Sequence, residues 1–273
     1  MGETLARYNV ASVLLPLPEH FCRNILFNIN DYDPEDAYKL AGKPVLKLYT
    51  DVMKYEALKH PEMFIHCNRQ ILADIHGLIE AVQDPDIEAR GERQRDFFKE
   101  HLNPEIAITL MGYSLGGLGA LQAYLLEPDV FDACILINSG ASFQDMDASS
   151  LFGADYWRKL RRGVVRSARD HSDKVKENFY SQAFLGHEKI EMQDLLTQHA
   201  HKILVVLGGS DVITNRRTMT NLEPEGTGLA IVQIPGLEHP INKPSKAFPQ
   251  WQRWSDFAVS TMLAFIQHHP RLP

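Results

Sequence analysis

Cysteine is scarce in this sequence of 273 residues, which contains only Cys22, Cys67 and Cys134. None of them forms a C-x-x-C pair, and none stands at zinc-finger spacing from histidine residues, so no metal site is predicted from them. A sparse, odd set of cysteines favours a reducing compartment. We therefore expect a cytoplasmic protein.

Long apolar runs and an excess of positive charge are also absent. No stretch approaches the roughly 18 apolar residues that a membrane span needs, and residues 1–8 contain Glu3 but no apolar core of a signal peptide. The chain has 28 Lys and Arg against 35 Asp and Glu, a formal net charge of −7. Since an acidic protein has no general attraction for nucleic-acid phosphate, we expect neither a nucleic-acid partner nor a membrane span.

The apolar residues, 44% of the chain, fall into short runs that are typical of parallel strands buried on both faces. Segments with helical apolar spacing lie between these runs. This alternation predicts an α/β fold with a mostly parallel sheet flanked by helices. The predicted strands are Val10–Leu15, Pro44–Tyr49, Ile106–Met111, Ala133–Ile137, Ile203–Leu207 and Leu229–Ile234, and the predicted helices are Phe64–Val82, Leu115–Leu126 and Trp251–Ile266.

One stretch breaks the alternation, because residues 141–201 hold no convincing strand. A segment of this length is too long for a simple crossover between two core strands. We interpret residues 141–200 as a helical lid inserted over one end of the sheet, and residues 1–140 and 201–273 as the core.

The predicted lid carries a group of arginines and a group of aromatic residues, and each group has two possible interpretations. Its arginines form either a solvated helix face or a contact for an acidic group on a substrate or carrier protein. Its aromatic residues either line an apolar acyl pocket or form the lid's own core. The arginines are Arg158, Arg161, Arg162, Arg166 and Arg169, and the aromatic residues are Trp157, Phe179, Tyr180 and Phe184.

The motif that carries chemistry is the G-x-S-x-G of Gly112 to Gly116, with Ser114 at its centre. It lies directly between an apolar strand and a helical pattern, which is the context that a nucleophile elbow requires. The small residues at the ±2 positions permit a sharp turn that projects the serine from the end of the strand. The helix that follows directs its free N–H groups and dipole at the same point, where they favour developing negative charge.

A serine hydroxyl needs a base to act as a nucleophile, and the base needs an orienting group. His239 and Asp211 are the candidates, because each follows the end of a predicted strand and open α/β sheets place their sites at that edge. The chain order serine, acid, histidine is also the one expected. Asp211 stands where it could cap a following helix, and it could do both. Asp145 and Asp147 are the reserve candidates for the acid.

These motifs together resemble the α/β-hydrolase family. The resemblance covers roughly residues 104–140 and 200–268. It implies hydrolysis of an ester, thioester or amide in a small-molecule acyl substrate through an acyl-enzyme, with no metal or organic cofactor. The matching segments are Gly112-Tyr-Ser-Leu-Gly-Gly117, Gly208-Gly-Ser-Asp211 and Pro235-Gly-Leu-Glu-His239.

The sequence departs from the family at the oxyanion hole. The N–H of Leu115 is predicted to be one donor, but the usual His-Gly or Gly-Gly turn after an early strand is missing. Val10–Leu15 is either the oxyanion strand, with Leu17 or Glu19 as the second donor, or it is the next strand along, and then the oxyanion strand is missing from this chain. The second interpretation implies a shortened hydrolase of weak or altered activity.

Three hypotheses follow. The leading one is an acyl-ester hydrolase in which Ser114 attacks, His239 transfers protons, Asp211 orients the imidazole and Leu115 helps to hold the oxyanion. The alternative is a catalytically weak or inactive protein of this fold that binds a small ligand or a partner. A nucleotide-binding turn at Gly112–Gly117 ranks last, because the Lys of a phosphate-binding loop is missing.

Overall fold

A computed structural model describes residues 58–83, 107–142, 146–149, 153–172, 189–214, 228–239 and 251–268. The described strands form one parallel sheet in the order β1-β2-β3-β4. They are β1 (Thr109–Tyr113), β2 (Ala133–Ile137), β3 (Ile203–Gly208) and β4 (Ala230–Ile234). The helices are α1 (Met63–Gln83), α2 (Leu115–Leu126), α3 (Ala154–Ser172), α4 (Lys189–His199) and α5 (Trp251–His268).

The predicted parallel sheet with flanking helices is confirmed. β2 has the predicted bounds and β3 and β4 differ from prediction by one residue, whereas β1 begins and ends later than the predicted run of residues 106–111. It extends to the Ser114 turn because Gly112 and Tyr113 stay in register with β2, although neither continues the apolar run. The predicted strands Val10–Leu15 and Pro44–Tyr49 lie outside the described residues.

Both faces of the sheet are buried by helices. The side chains of β2 alternate, so that Leu136 lies in the cluster with α1 and α2, and Ile135 lies in the cluster with α5. Cys134 shares the first face, is fully buried and forms no disulfide. Burial raises the pKa of its thiol, so it acts as a small apolar core residue.

A third apolar cluster lies beside the beginning of α2. Its α3 members are Trp157, Leu160 and Val164, and these pack with Leu118 of α2 and with Ile213, which follows β3. α3 is therefore fixed against the segments that follow β1 and β3.

A second helix, α4, also lies in the segment between β2 and β3. α4 contributes Leu196 to the cluster on the first face of the sheet. The division into a lid of residues 141–200 and a surrounding core stays a prediction. Within the described ranges, no helix has the length and apolarity to cross a membrane.

Leu136→Ala should destabilise the protein by about 2–5 kcal/mol, because it leaves a cavity in a fully buried strand. The measurement is urea unfolding followed by circular dichroism. Leu58→Ala makes the same chemical change at a side chain that is 40% exposed, and it should cost less than about 1 kcal/mol. Equal losses in the two variants would contradict the assignment of β2 to the core.

Candidate active site

Ser114 occupies a strained turn between β1 and α2. Its backbone angles are φ 54° and ψ −124°, a region that costs a non-glycine residue about 1–3 kcal/mol. Two hydrogen bonds hold the turn: the Ser114 N–H donates to the Ile137 carbonyl at 2.9 Å, and the Gly117 N–H donates to the Ser114 carbonyl at 3.0 Å. The serine side chain is therefore fixed at the end of β1.

Two glycines allow this turn to close. A Cβ on Gly112 would lie 2.4 Å from the Gly117 Cα and 2.5 Å from the Gly116 oxygen, and a Cβ on Gly117 would lie 2.3 Å from the side chain of Ser139. The sequence pattern indicated Gly112 and Gly116 as the required small residues. The structure shows that Gly117 must also lack a side chain, because Ser139, in the segment after β2, lies directly beside it.

The structure brings the three predicted side chains together. His239 Nε2 lies 2.8 Å from Ser114 Oγ, and His239 Nδ1 lies 2.8 Å from Asp211 Oδ2. A carboxylate accepts hydrogen bonds only, so Nδ1–H donates to Asp211, and Nε2 is free to accept the hydroxyl proton of Ser114. The side chains of His239 and Asp211 are 12% and 0% exposed, which places this hydrogen-bonded pair out of bulk solvent.

Asp211 accepts four hydrogen bonds, and this fixes its orientation. Its Oδ1 accepts the N–H groups of Ile213 at 2.7 Å and Thr214 at 3.1 Å. Its Oδ2 accepts the Thr214 hydroxyl at 2.6 Å as well as the imidazole. The carboxylate thus caps the turn after β3 and also bonds to His239. The sequence suggested both the capping role and the contact with the histidine.

The two reserve acids are placed differently. Asp147 is half-buried, and its Oδ1 accepts the Ser149 N–H at 2.9 Å. Among the described residues, the aspartate that bonds to His239 is Asp211. Asp145 lies outside the described residues.

Asn138, which sequence reasoning missed, fixes the loop that carries His239. It follows β2, is fully buried and has a φ of 46°. Its Nδ2 donates to the carbonyls of Glu238 at 3.0 Å and His239 at 3.1 Å, while its Oδ1 accepts the Gly208 N–H at 2.7 Å. One amide therefore joins the end of β3 to the histidine loop. The available signal was a polar residue directly after an all-apolar strand.

Tyr113 is a second residue that sequence reasoning missed. Its hydroxyl donates to the His239 carbonyl, and its ring lies 5.4 Å from the imidazole with a tilt of 36°. Burial, followed by the negative charge of Asp211, raises the pKa of Tyr113 to about 12. The phenol therefore stays protonated, and keeps this hydrogen bond, at any ordinary assay pH.

The N–H of Leu115 is available beside Ser114. Leu115 is the first residue of α2, where helix N–H groups have no carbonyl one turn earlier to bond. The helix dipole favours negative charge at the same point. Leu17 and Glu19, the candidates for a second donor, lie outside the described residues. In the described part of the chain, no group of three or more His, Cys, Asp or Glu residues is arranged to hold a metal ion.

Comparison of the sequence with protein families gives one match: the family described as alpha/beta hydrolase fold matches residues 83–217, which include Ser114, Leu115 and Asp211. The chain has the α/β-hydrolase fold. The four parallel strands and their flanking helices are the part of this hydrolase fold that the structure describes. No curated protein sequence matches the chain.

Several solved structures are similar to this α/β-hydrolase at low identity. An S-formylglutathione hydrolase from Agrobacterium tumefaciens is 14% identical over 65% of this chain and 55% of its own length, with a TM-score of 0.37. A monoacylglycerol lipase from Paleococcus ferrophilus is 14% identical over 71% of this chain and 75% of its own length, with a TM-score of 0.38. A peroxisomal α/β-hydrolase from Saccharomyces cerevisiae is 12% identical over 74% of this chain and 60% of its own length, with a TM-score of 0.39. The chain thus spans just over half the length of the first of these.

Asn138→Ala should lower the free energy of unfolding by about 1–3 kcal/mol, because it leaves buried backbone groups of Gly208 and the histidine loop without partners. The measurement is denaturant unfolding. Asn138→Asp keeps the acceptor for Gly208 but removes both donors, so it should also unfold more readily than the wild type. Wild-type stability in both variants would show that this amide does not hold the loop.

Proposed function

We propose that this α/β-hydrolase is a serine hydrolase that cleaves an ester or thioester of a small-molecule acyl substrate through an acyl-enzyme. The observation that carries the proposal is the continuous hydrogen-bonded line from Ser114 through His239 to Asp211, with 2.8 Å at both of its contacts. That line supplies a nucleophile, a base in reach of its proton and a group that orients the base.

The first half of the reaction follows from these contacts. His239 Nε2 takes the proton from Ser114 as Oγ attacks the acyl carbonyl, and a tetrahedral oxyanion forms beside the Leu115 N–H and the beginning of α2. The protonated imidazole then gives its proton to the departing alcohol or thiol. The acyl group remains bonded to Ser114 Oγ.

The second half uses the same groups. His239 accepts a proton from a water molecule that attacks the acyl-enzyme, and it returns this proton to Ser114 as the acid leaves. Asp211 keeps its hydrogen bond to Nδ1 and stabilises the imidazolium. Because three hydrogen bonds from the turn after β3 fix the carboxylate in advance, little reorganisation is needed as charge develops on His239.

Ser114 should be labelled by a fluorophosphonate, which reacts with activated serines. The measurement is mass spectrometry of the wild type and of Ser114→Ala, His239→Ala and Ser210→Ala. We expect one adduct on Ser114 that is absent in Ser114→Ala and strongly reduced in His239→Ala. Ser210→Ala is the matched control, since its side chain stands in the neighbouring loop, and it should label as the wild type does. A folded wild-type protein without any adduct would refute the hydrolase proposal in favour of a ligand-binding protein.

Asp211→Asn should lower kcat on a neutral ester such as p-nitrophenyl acetate by about 10³–10⁴-fold, because an amide in place of the carboxylate favours the wrong imidazole tautomer. Asp147→Asn makes the same change at an acid that does not bond to His239, and its kcat should stay within about twofold of the wild type. The reverse ranking would move the acid to Asp147.

A further inference from the structure

Four arginines on one face of α3 line a cleft with a volume of about 900 Å³. They stand three and four residues apart, which places them on the same side of a helix. At a rise of 1.5 Å per residue, the face they form is about 12 Å long. These side chains are Arg158, Arg161, Arg162 and Arg166, and we call the space between them and the segment that contains Asp147 the arginine cleft.

The charge of the arginine cleft is opposite to that of the whole chain. Among the described residues, its lining holds four arginines against one aspartate, a formal excess of three positive charges, whereas the chain has a net charge of −7. Arg158 bonds to the exposed Asp155 at 3.2 Å. In the described part of the chain, Arg162 and Arg166 form no ion pair. Like charges four residues apart destabilise a helix, so this arrangement favours a bound anion.

Residues that line the arginine cleft contact the segments that carry the candidate active site. Trp157 and Val165 line the cleft and also pack in the apolar cluster that contains Leu115 and Leu118. On the other side, the Asp147 N–H donates to the Ile213 carbonyl at 2.8 Å, and the Ile213 N–H donates to Asp211. The cleft is thus joined to the beginning of α2 by the apolar cluster and, through Ile213, to the acid that bonds to His239.

The chemistry of the cleft selects its ligand. Guanidinium groups present paired N–H donors that match phosphate oxygens. Several such groups along about 12 Å suit a ligand with more than one phosphate. The volume lies within the roughly 300–1,000 Å³ of small-molecule sites.

We propose that the arginine cleft binds the oligophosphate or nucleotide portion of a small-molecule acyl substrate, whose acyl carbonyl lies at Ser114. This rests on the proposed hydrolase function. The phosphates give binding energy at a distance from the reacting bond, and they position the acyl group without taking part in the chemical step.

Binding is tested without any reaction, by isothermal titration calorimetry of the full chain with pyrophosphate and with ADP. The wild type should bind both, more weakly as salt is raised. Arg162→Ala/Arg166→Ala should weaken binding by roughly tenfold or more, since two charge-assisted contacts are lost. Lys159→Ala is the matched control: it removes a positive charge from an exposed position of the same helix that does not line the cleft, and it should bind as the wild type does. Absence of binding by the wild type, or equal binding by the double variant, would overturn the proposal.

Kinetics test whether the phosphates belong to the substrate. Acetyl-coenzyme A carries a nucleotide, whereas p-nitrophenyl acetate is neutral. The double variant should raise KM for the first by roughly tenfold or more and leave kcat/KM for the second unchanged. An equal loss on both esters, or no preference of the wild type for the phosphorylated one, would refute the role of the cleft in substrate binding.

Different outcomes refute the hydrolase function and the phosphate site. A wild type that binds ADP but hydrolyses neither ester would refute the hydrolase function and leave the phosphate site in place. A wild type that hydrolyses p-nitrophenyl acetate but binds neither ADP nor pyrophosphate would refute the phosphate site alone.

Discussion

The close turn at Ser114 is the constraint on which the rest of the site depends. A serine at φ 54° is held there because β1 pairs with β2 up to the turn, and because Gly112 and Gly117 let two backbone segments approach within a distance that no Cβ would permit. A side chain at Gly112 would force α2 away from β1, and a side chain at Gly117 would force α2 away from Ser139. The serine hydroxyl and the first N–H of the helix would then lose their common position.

Parallel pairing explains why distant residues meet at this turn. Ser114 and His239 are separated by 125 positions in the chain, and Asp211 and His239 by 28. Each follows a strand of the same parallel sheet, so all three stand at its carboxyl edge. Within that edge, the positions are refined by polar contacts of the loops themselves, above all by the carboxylate of Asp211 and the amide of Asn138.

The sequence predicted the buried strands well, and it indicated three side chains that the structure brings together, because both depend on strong local signals. A continuous apolar run such as Ala133–Ile137 is stable only when it is buried. The motif G-x-S-x-G between a strand and a helix is typical of a nucleophile elbow. Features that depend on contact with another segment of the chain were not predicted. The end of β1 is set by its pairing with β2, and the roles of Asn138 and Tyr113 are visible only when the histidine loop lies against them.

The distribution of the site over three strand ends has a consequence for the synthesis of the protein. While the chain emerges from the ribosome, Ser114 appears long before His239, and the histidine is held by contacts with Asn138 and Asp211 that also require β2 and β3. A nascent chain that ends before β4 thus carries a serine without its imidazole partner. The hydrogen-bonded line from Ser114 through His239 to Asp211 is therefore completed only when the last described strand has been made.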